Sequence, residues 1–148
     1  MIIEANLEHL DDLAGLFDAY RVFYKQESAI ERGKAFLKSR IENKESVIYL
    51  AYKDNLPVGF TQLYAKYSSA RMIKNWILND LYVDEKFRKE GLAQQLIEQA
   101  VTFAKNEGAV FIQLETQIEN HIAQSLYKKL DFLVQEPDNE FLLFKRFL

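Results

Sequence analysis

The densest chemistry in this chain lies in the run Leu81-Tyr82-Val83-Asp84-Glu85-Lys86-Phe87-Arg88-Lys89-Glu90-Gly91-Leu92-Ala93-Gln94. It reads as the end of a buried strand, a short polar loop and the start of a helix at Gly91. Leu96, Ile97, Ala100, Val101 and Ala104 continue that helix at roughly helical spacing. The first turn of a helix has amide protons without intrahelical partners and the positive end of the macrodipole. Gly91 and Ala93 put no bulk over those amides, so a diphosphate has room to sit on the backbone. An ordinary helix-start glycine gives the same pattern, and the turn alone does not separate the two readings. Two carboxylates, Asp80 and Glu115, stand inside otherwise apolar strand segments. An unpaired buried carboxylate is costly, so such residues line a cleft or meet a partner. There is no Cys, which removes a thiol nucleophile and a disulfide framework. The two histidines, His9 and His121, fall far apart on predicted helices, and no metal site is expected.

These groups need a scaffold. Met1 to Ala5 reads as a strand, and Asn6 can cap a helix running to about Tyr24, apolar at Leu7, Leu10, Leu13, Leu16, Phe17, Tyr20 and Phe23-Tyr24. A second helix is expected from Ser28 to about Asn43, with Ala35, Phe36 and Ile41 inward. Ser46 to Tyr52 alternates as a strand, Asp54-Asn55 makes a turn, and Pro57 opens a strand that Ser68 to Arg71 interrupts. Asn75 to Val83 is a third, strongly apolar strand. After the Gly91 helix, with Gly108 as its C-cap, come a strand over Val110 to Thr116, a helix over Asn120 to Leu130, and terminal strands over Phe132 to Val134 and Phe141 to Phe147. Turn-linked early strands should be antiparallel, and the strand-helix-strand unit from about 75 to 116 parallel. The expected class is α/β (α+β), with a mixed, mostly antiparallel sheet flanked by helices, as one domain over 1–148.

Apolar residues at 49% and aromatics at 14% describe a globular chain with a large core. No apolar stretch approaches the ~18 residues that span a membrane, and no basic segment with an apolar run opens the chain. A cytoplasmic protein without membrane contact is expected. The net charge of -3 argues against duplex nucleic acid, which demands a basic face, and suits a cationic substrate. The apolar C-terminal runs Phe141-Leu142-Leu143-Phe144 and Phe147-Leu148 predict a homodimer, since an exposed strand of that kind is an edge hazard.

Arg88-x-x-Gly91-x-Ala93, preceded by Leu81-Tyr82-Val83, resembles the acyl-coenzyme A signature of the GCN5-related N-acetyltransferases (GNAT family). About thirty residues on, Asn120-x-x-Ala123-x-x-x-Tyr127-Lys128-Lys129-Leu130 resembles the family's second signature. The resemblance covers nearly the whole chain, with its motifs in residues 78 to 132. It implies the GNAT fold, in which the strand carrying the coenzyme motif and the next strand splay apart. It also implies acetyl-CoA as co-substrate, bound by Leu81, Tyr82, Val83, Arg88, Lys89, Glu90, Gly91, Leu92, Ala93, Gln94, Asn120, Ala123, Tyr127 and Lys129. Backbone amides of the turn would hold the pyrophosphate, and Leu81 and Val83 would pair with pantetheine.

Amide formation from a thioester also needs a neutral amine and a proton for the departing thiolate. Tyr127 is the expected acid: a phenol pKa near 10 keeps its proton above the ~8.5 of a thiol. A packed helical Tyr is the alternative. A primary ammonium near pKa 10.4 costs roughly 4 kcal/mol to neutralise at pH 7, so a base is required, and Asp80 and Glu115 are the candidates. Asn79-Asp80-Leu81-Tyr82-Val83 resembles diamine acetyltransferases, which tend to have Glu-Asp before these hydrophobics; Asn79 replaces the Glu and cannot act as a base. Tyr20-x-x-Phe23-Tyr24 resembles a branch with histone- and polyamine-type members, in which this helix borders the acceptor cleft. Tyr20, Tyr24 and Asp80 are the substrate-binding candidates, and Phe23 is assigned to core packing. Asp131 stands where the family usually has a Gly after the second helix and is expected to tolerate left-handed geometry. The resulting expectation is N-acetyl transfer from acetyl-CoA to a primary amine of a polyamine, small molecule, lysine or peptide N-terminus, by direct attack in a ternary complex. A non-catalytic acyl-CoA-binding regulatory module is the alternative.

Overall fold

The computed structural model describes all 148 residues. Two compact units divide the chain, Met1–Glu115 and Thr116–Leu148.

The first unit holds a five-stranded sheet in the order β1 (Ile2–Glu4), β2 (Ser46–Lys53), β3 (Leu56–Ser68), β4 (Ile73–Val83), β5 (Ile112–Gln113). Pairing is antiparallel through β4 and parallel between β4 and β5, as the turn-linked and helix-linked connections require. Period-two alternation splits β2 between the two faces. Ile48 and Leu50 join Phe60 of β3 in a core with Leu10, Leu13, Leu16 and Phe17 of α1 (Leu10–Phe23) and Leu37 of α2 (Ile30–Glu42). Tyr49 and Trp76 turn the other way and meet Phe103 of α3 (Leu92–Asn106), with ring centroids 6.0 and 4.9 Å apart. Three helices thus cover two faces of one mixed sheet.

Local chemistry sets the boundaries. Asn6 accepts the amide of Glu8 while His9 Nδ1 accepts that of Asn6, a reciprocal cap over a 3₁₀ turn at Leu7–His9 that leads into α1. Gly108, at φ +76°, closes α3 with bonds from Gly108 N to Lys105 O and from Ala109 N to Ala104 O. Buried Asn75 takes the amides of Val110 and Phe111 on one Oδ1, which pins the entry to β5 beside β4. No helix is long and apolar enough to cross a membrane.

Several expectations need correction. In α2 the buried positions are Gly33 and Leu37, while Ala35 and Phe36 are exposed. The strand read over Val110 to Thr116 is only Ile112–Gln113, and Glu115 lies beyond it. The terminal strands at Phe132 to Val134 and Phe141 to Phe147 do not form. Both runs are apolar, but a strand exists only where a neighbour takes its backbone bonds.

The second unit is built on α4 (His121–Lys129). Asn120 Oδ1 accepts from Ala123 N at 3.1 Å and caps it. Asp131 sits at φ +66° and Phe132 N bonds Tyr127 O at 2.9 Å, so the Asp adopts the left-handed geometry expected of it.

Candidate active site

The strand carrying Asp80 is interrupted. Gln62 of β3 lies opposite Asp80, but Leu63 lies opposite Leu78, so Asn79 is an extra residue, a β-bulge whose side chain is exposed. The slip exchanges faces. Trp76 meets α3, whereas Tyr82 points to the opposite face, its ring 6.3 Å from that of Tyr20 in α1. It also exchanges backbone direction. Trp76 N–H turns toward Phe111 O of the β5 segment, whereas Asp84 N–H turns toward Val58 O of β3. By alternation from Asp84, the amides and carbonyls of Leu81 and Val83 face away from β3. Pairing with β5 ends at Ile77↔Gln113, so this stretch has no strand beside it. An open edge of this kind can accept an extended ligand as an added strand.

The turn that follows is tightly specified. Asp84 accepts the amide of Lys86 and starts a 3₁₀ turn at Glu85–Phe87. Lys89 at φ +66° and Gly91 at φ +81° are both left-handed, and Gly91 precedes α3. A Cβ on Gly91 would meet nothing closer than Gln95 Nε2 at 4.0 Å. Glycine is therefore needed for its φ, and the space above it is open. The first helical bond is Gln95 N to Gly91 O, so the amides of Leu92 and Ala93 have no acceptor within α3. Several polar side chains around the turn are engaged. Arg88 Nε donates to Val83 O at 3.0 Å, and its guanidinium lies over the rings of Phe23 and Tyr82. Glu90 pairs with Lys53, and Gln94 Nε2 donates to Glu98. Phe23 is not core packing; it is 58% exposed and serves as a platform for Arg88.

Asp80 is only 6% exposed. Its oxygens accept from Gln62 Nε2 at 2.8 Å and Asn79 Nδ2 at 3.2 Å, and its charge acts on the Tyr20 hydroxyl. It has no ion-pair partner. Burial, then the Asp80 charge, holds the Tyr20 hydroxyl far above its usual range and pushes Tyr64 up to about 12. Tyr24 leans on Tyr20 at 5.0 Å and is half exposed. Tyr20, Tyr24, Asp80 and Tyr82 thus belong to one cluster. Gln62 and Tyr64 complete it, and the sequence reading missed both. Gln62 is a polar residue in an apolar run, but only the strand register says which residue it faces. Glu115 differs from Asp80: it is exposed and outside any strand, so it is not the buried strand carboxylate the sequence suggested.

Asn120, Ala123 and Tyr127 lie along one stripe of α4, two helical turns from end to end. The Tyr127 ring is 6.1 Å from that of Phe132, and Lys129 is exposed near the helix end. No group of three or more His, Cys, Asp or Glu is placed to hold a metal ion.

A mixed sheet with an unpaired inner edge after a bulge, feeding a glycine-capped helix start, is the acyl-CoA N-acyltransferase fold. Residues 12–132 match the family described as the acetyltransferase (GNAT) family, and the chain belongs to it. It is 43% identical over 117 residues, 79% of this chain and 78% of the relative, to an uncharacterized N-acetyltransferase, YhfO, of Bacillus subtilis (strain 168). A crystal structure of a probable acetyltransferase is 40% identical with a TM-score of 0.89, covering 100% of this chain and 97% of that one. The thialysine N-epsilon-acetyltransferase of Caenorhabditis elegans is 26% identical over 137 residues, 89% of this chain and 82% of the relative. The chain is accordingly an acetyl-CoA-dependent acetyltransferase.

Proposed function

We propose that this enzyme acetylates a primary aliphatic amine by direct attack in a ternary complex, with Asp80 receiving the acceptor. The observation that carries this reading is the buried Asp80 carboxylate, which accepts from Gln62 and Asn79 and has no cation, beside the open inner edge of β4. A buried carboxylate is costly without a counter-charge, and an incoming ammonium supplies one. The thialysine relative is named for acetylating an ε-amine, which supports an acceptor of the same kind.

Acetyl-CoA supplies the activated acetyl thioester. The amides of Leu92 and Ala93, with the turn from Arg88 to Gln94, would hold its pyrophosphate at the positive end of α3. Leu81 and Val83 would bond the pantetheine arm, and the Val83 amide would polarise the thioester carbonyl. Val83 O is already bonded by Arg88, so Arg88 acts here as a brace for the turn. Asp80, directly or through water, takes a proton from the ammonium. The free amine attacks, the C–N bond forms as the C–S bond breaks, Tyr127 donates its proton to the departing sulfur, and the second proton of the acylated nitrogen is lost to water, from which the phenolate is reprotonated. Asn120, Ala123 and Lys129 lie on the same helix as Tyr127 and are assigned to the coenzyme. Glu115, exposed beyond β5, has no part in this assignment.

The reading treats 1–148 as one domain, because the family match spans the boundary between the two compact units. It places the enzyme in the cytoplasm as a homodimer, the latter on the exposure of the C-terminal apolar run. The test is coenzyme A release across a panel of amines and peptides. Amines on a flexible aliphatic chain, as in polyamines or lysine-like compounds, should be turned over faster than acidic amino compounds such as glutamate. Tight acetyl-CoA binding with no turnover of any amine would favour a regulatory coenzyme-binding module.

A further inference from the structure

Beside the acceptor cluster, α1 and α2 enclose a cleft of about 300 Å³ lined by Phe17, Arg21, Arg32, Gly33 and Phe36. This is the lower end of the roughly 300–1,000 Å³ of small-molecule sites, room for one end of a ligand. Its wall is aromatic, with Phe17 and Phe36 stacked at 6.0 Å. Gly33 keeps the helices close, since a Cβ there would lie 3.1 Å from Phe17 Cδ1.

Two guanidiniums border the cleft, and they differ. Arg21 is anchored: Nη1 donates to Glu27 O at 2.8 Å and lies 3.8 Å from Asp18. Asp18 is itself occupied by Ser28 Oγ and Ala29 N. Arg32 has neither an ion pair nor a hydrogen bond. The cleft therefore carries one guanidinium, that of Arg32, with no ion-pair partner inside the fold. Phe17 of its wall also packs on Tyr20 of the Asp80 cluster. Phe17, Tyr20 and Arg21 are three and four residues apart, hence on one side of α1. The rings of Phe17 and Tyr20 are 6.3 Å apart, and Tyr20 in turn lies 6.3 Å from Tyr82, two residues beyond Asp80 on β4. Along this side of α1, Tyr20 thus stands between the carboxylate of Asp80 and the guanidiniums of the cleft.

We infer that this cleft is an anion subsite for the acceptor, holding a carboxylate on the molecule whose amine lies at Asp80. The inference rests on the acceptor reading above and narrows it to ω-amino carboxylates, free or at the C-terminus of a peptide. A planar guanidinium matches a carboxylate with two parallel hydrogen bonds. A polyamine would instead bring a second ammonium against two like charges, which is unfavourable.

The test uses 6-aminohexanoate and 6-aminohexanamide, which differ only in the carboxylate. Each is titrated calorimetrically into the wild-type protein and Arg32→Gln, and each is assayed for coenzyme A release with acetyl-CoA. Arg32 is chosen because it makes no internal hydrogen bond or ion pair, and a thermal melt checks that the variant is folded. The acid should bind at least tenfold more tightly than the amide, about 1.4 kcal/mol, and the ratio should fall to about one in Arg32→Gln. Equal binding of acid and amide, no binding of either, or a ratio unchanged in the variant overturns the subsite. Turnover of 1,5-diaminopentane with indifference to the carboxylate would sink the subsite and leave the transferase reading intact. Charge-dependent binding without coenzyme A release would support the subsite and count against that reading.

Discussion

At the residue scale the decisive group is a buried carboxylate that accepts from Gln62 and Asn79 and has no cation. Asp80 was legible because a charge inside an apolar strand is anomalous, whereas its partners Gln62, Tyr64 and Tyr20 were not legible as partners. They come from another strand and a helix, and only the β3–β4 register and the Asn79 bulge bring them together. Glu115 carried the same sequence signal but lies past a strand of two residues, since the signal marks a residue type and not its surroundings. Asp80→Asn removes the base and keeps the shape, so turnover should fall or KM rise, with the pH profile shifted to the alkaline side where free amine is already present. A silent Asp80→Asn with uncharged acceptors preferred would make the carboxylate structural. Tyr127→Phe deletes one hydroxyl, and turnover should drop by roughly 10²-fold or more with acetyl-CoA affinity nearly constant. Wild-type turnover would return Tyr127 to packing. Gly91→Val forces a β-branched residue to φ +81° and fills open space above the helix start. It should weaken acetyl-CoA binding at least tenfold, about 1.4 kcal/mol, by calorimetry on a folded variant; unchanged affinity would remove the turn from the site.

At the element scale, periodicity located every strand through β4 and all four helices, most plainly α1 and α3, whose burial on one face writes itself into the sequence. It failed where pairing, not burial, decides: β5 shrank to two residues and the two terminal strands did not form. The Asn79 bulge was invisible too, as one inserted residue leaves the apolar pattern of the strand unbroken on either side. What holds α1 to α2 is partly a single buried carboxylate. Asp18 takes the Ser28 hydroxyl and the Ala29 amide just ahead of α2, with Arg21 nearby, and these bonds hold its pKa below the usual 3.8. A depressed carboxylate stabilises the fold above its unfolded pKa and loses that contribution as pH falls through the folded value. Thermal stability should therefore decline below pH 3.8, and in Asp18→Asn this part of the acid limb should flatten while the neutral-pH melting temperature falls. The opposite sign applies to Tyr52 and Tyr64, held neutral up to about 12 by burial first, so stability is lost as pH rises from 10 toward that value. Identical acid limbs in wild type and Asp18→Asn, read by calorimetry, would show that this carboxylate does not couple the helices.

At the scale of the whole molecule, the C-terminus sets the problem. Phe141, Leu142, Leu143 and Phe144 are 75 to 85% exposed, and none of them pairs in a strand. At roughly 25 cal/mol per Å² of apolar surface, leaving several such side chains in water forgoes several kcal/mol. Contiguous exposed apolar surface on this scale marks an interaction site. The net charge of -3 on a 17.4 kDa chain gives little repulsion between copies, and a second copy is always present at the same concentration. Closed two-fold assembly is the commonest way to cover such a surface. Light scattering at micromolar concentration should therefore give twice the 17.4 kDa chain mass. Raising the salt should leave it unchanged, since the contact is apolar, and Phe144→Glu should shift it to the monomer without lowering acetyl-CoA affinity. A monomer mass for the wild-type chain would sink the dimer and assign the run to the covering of its own fold.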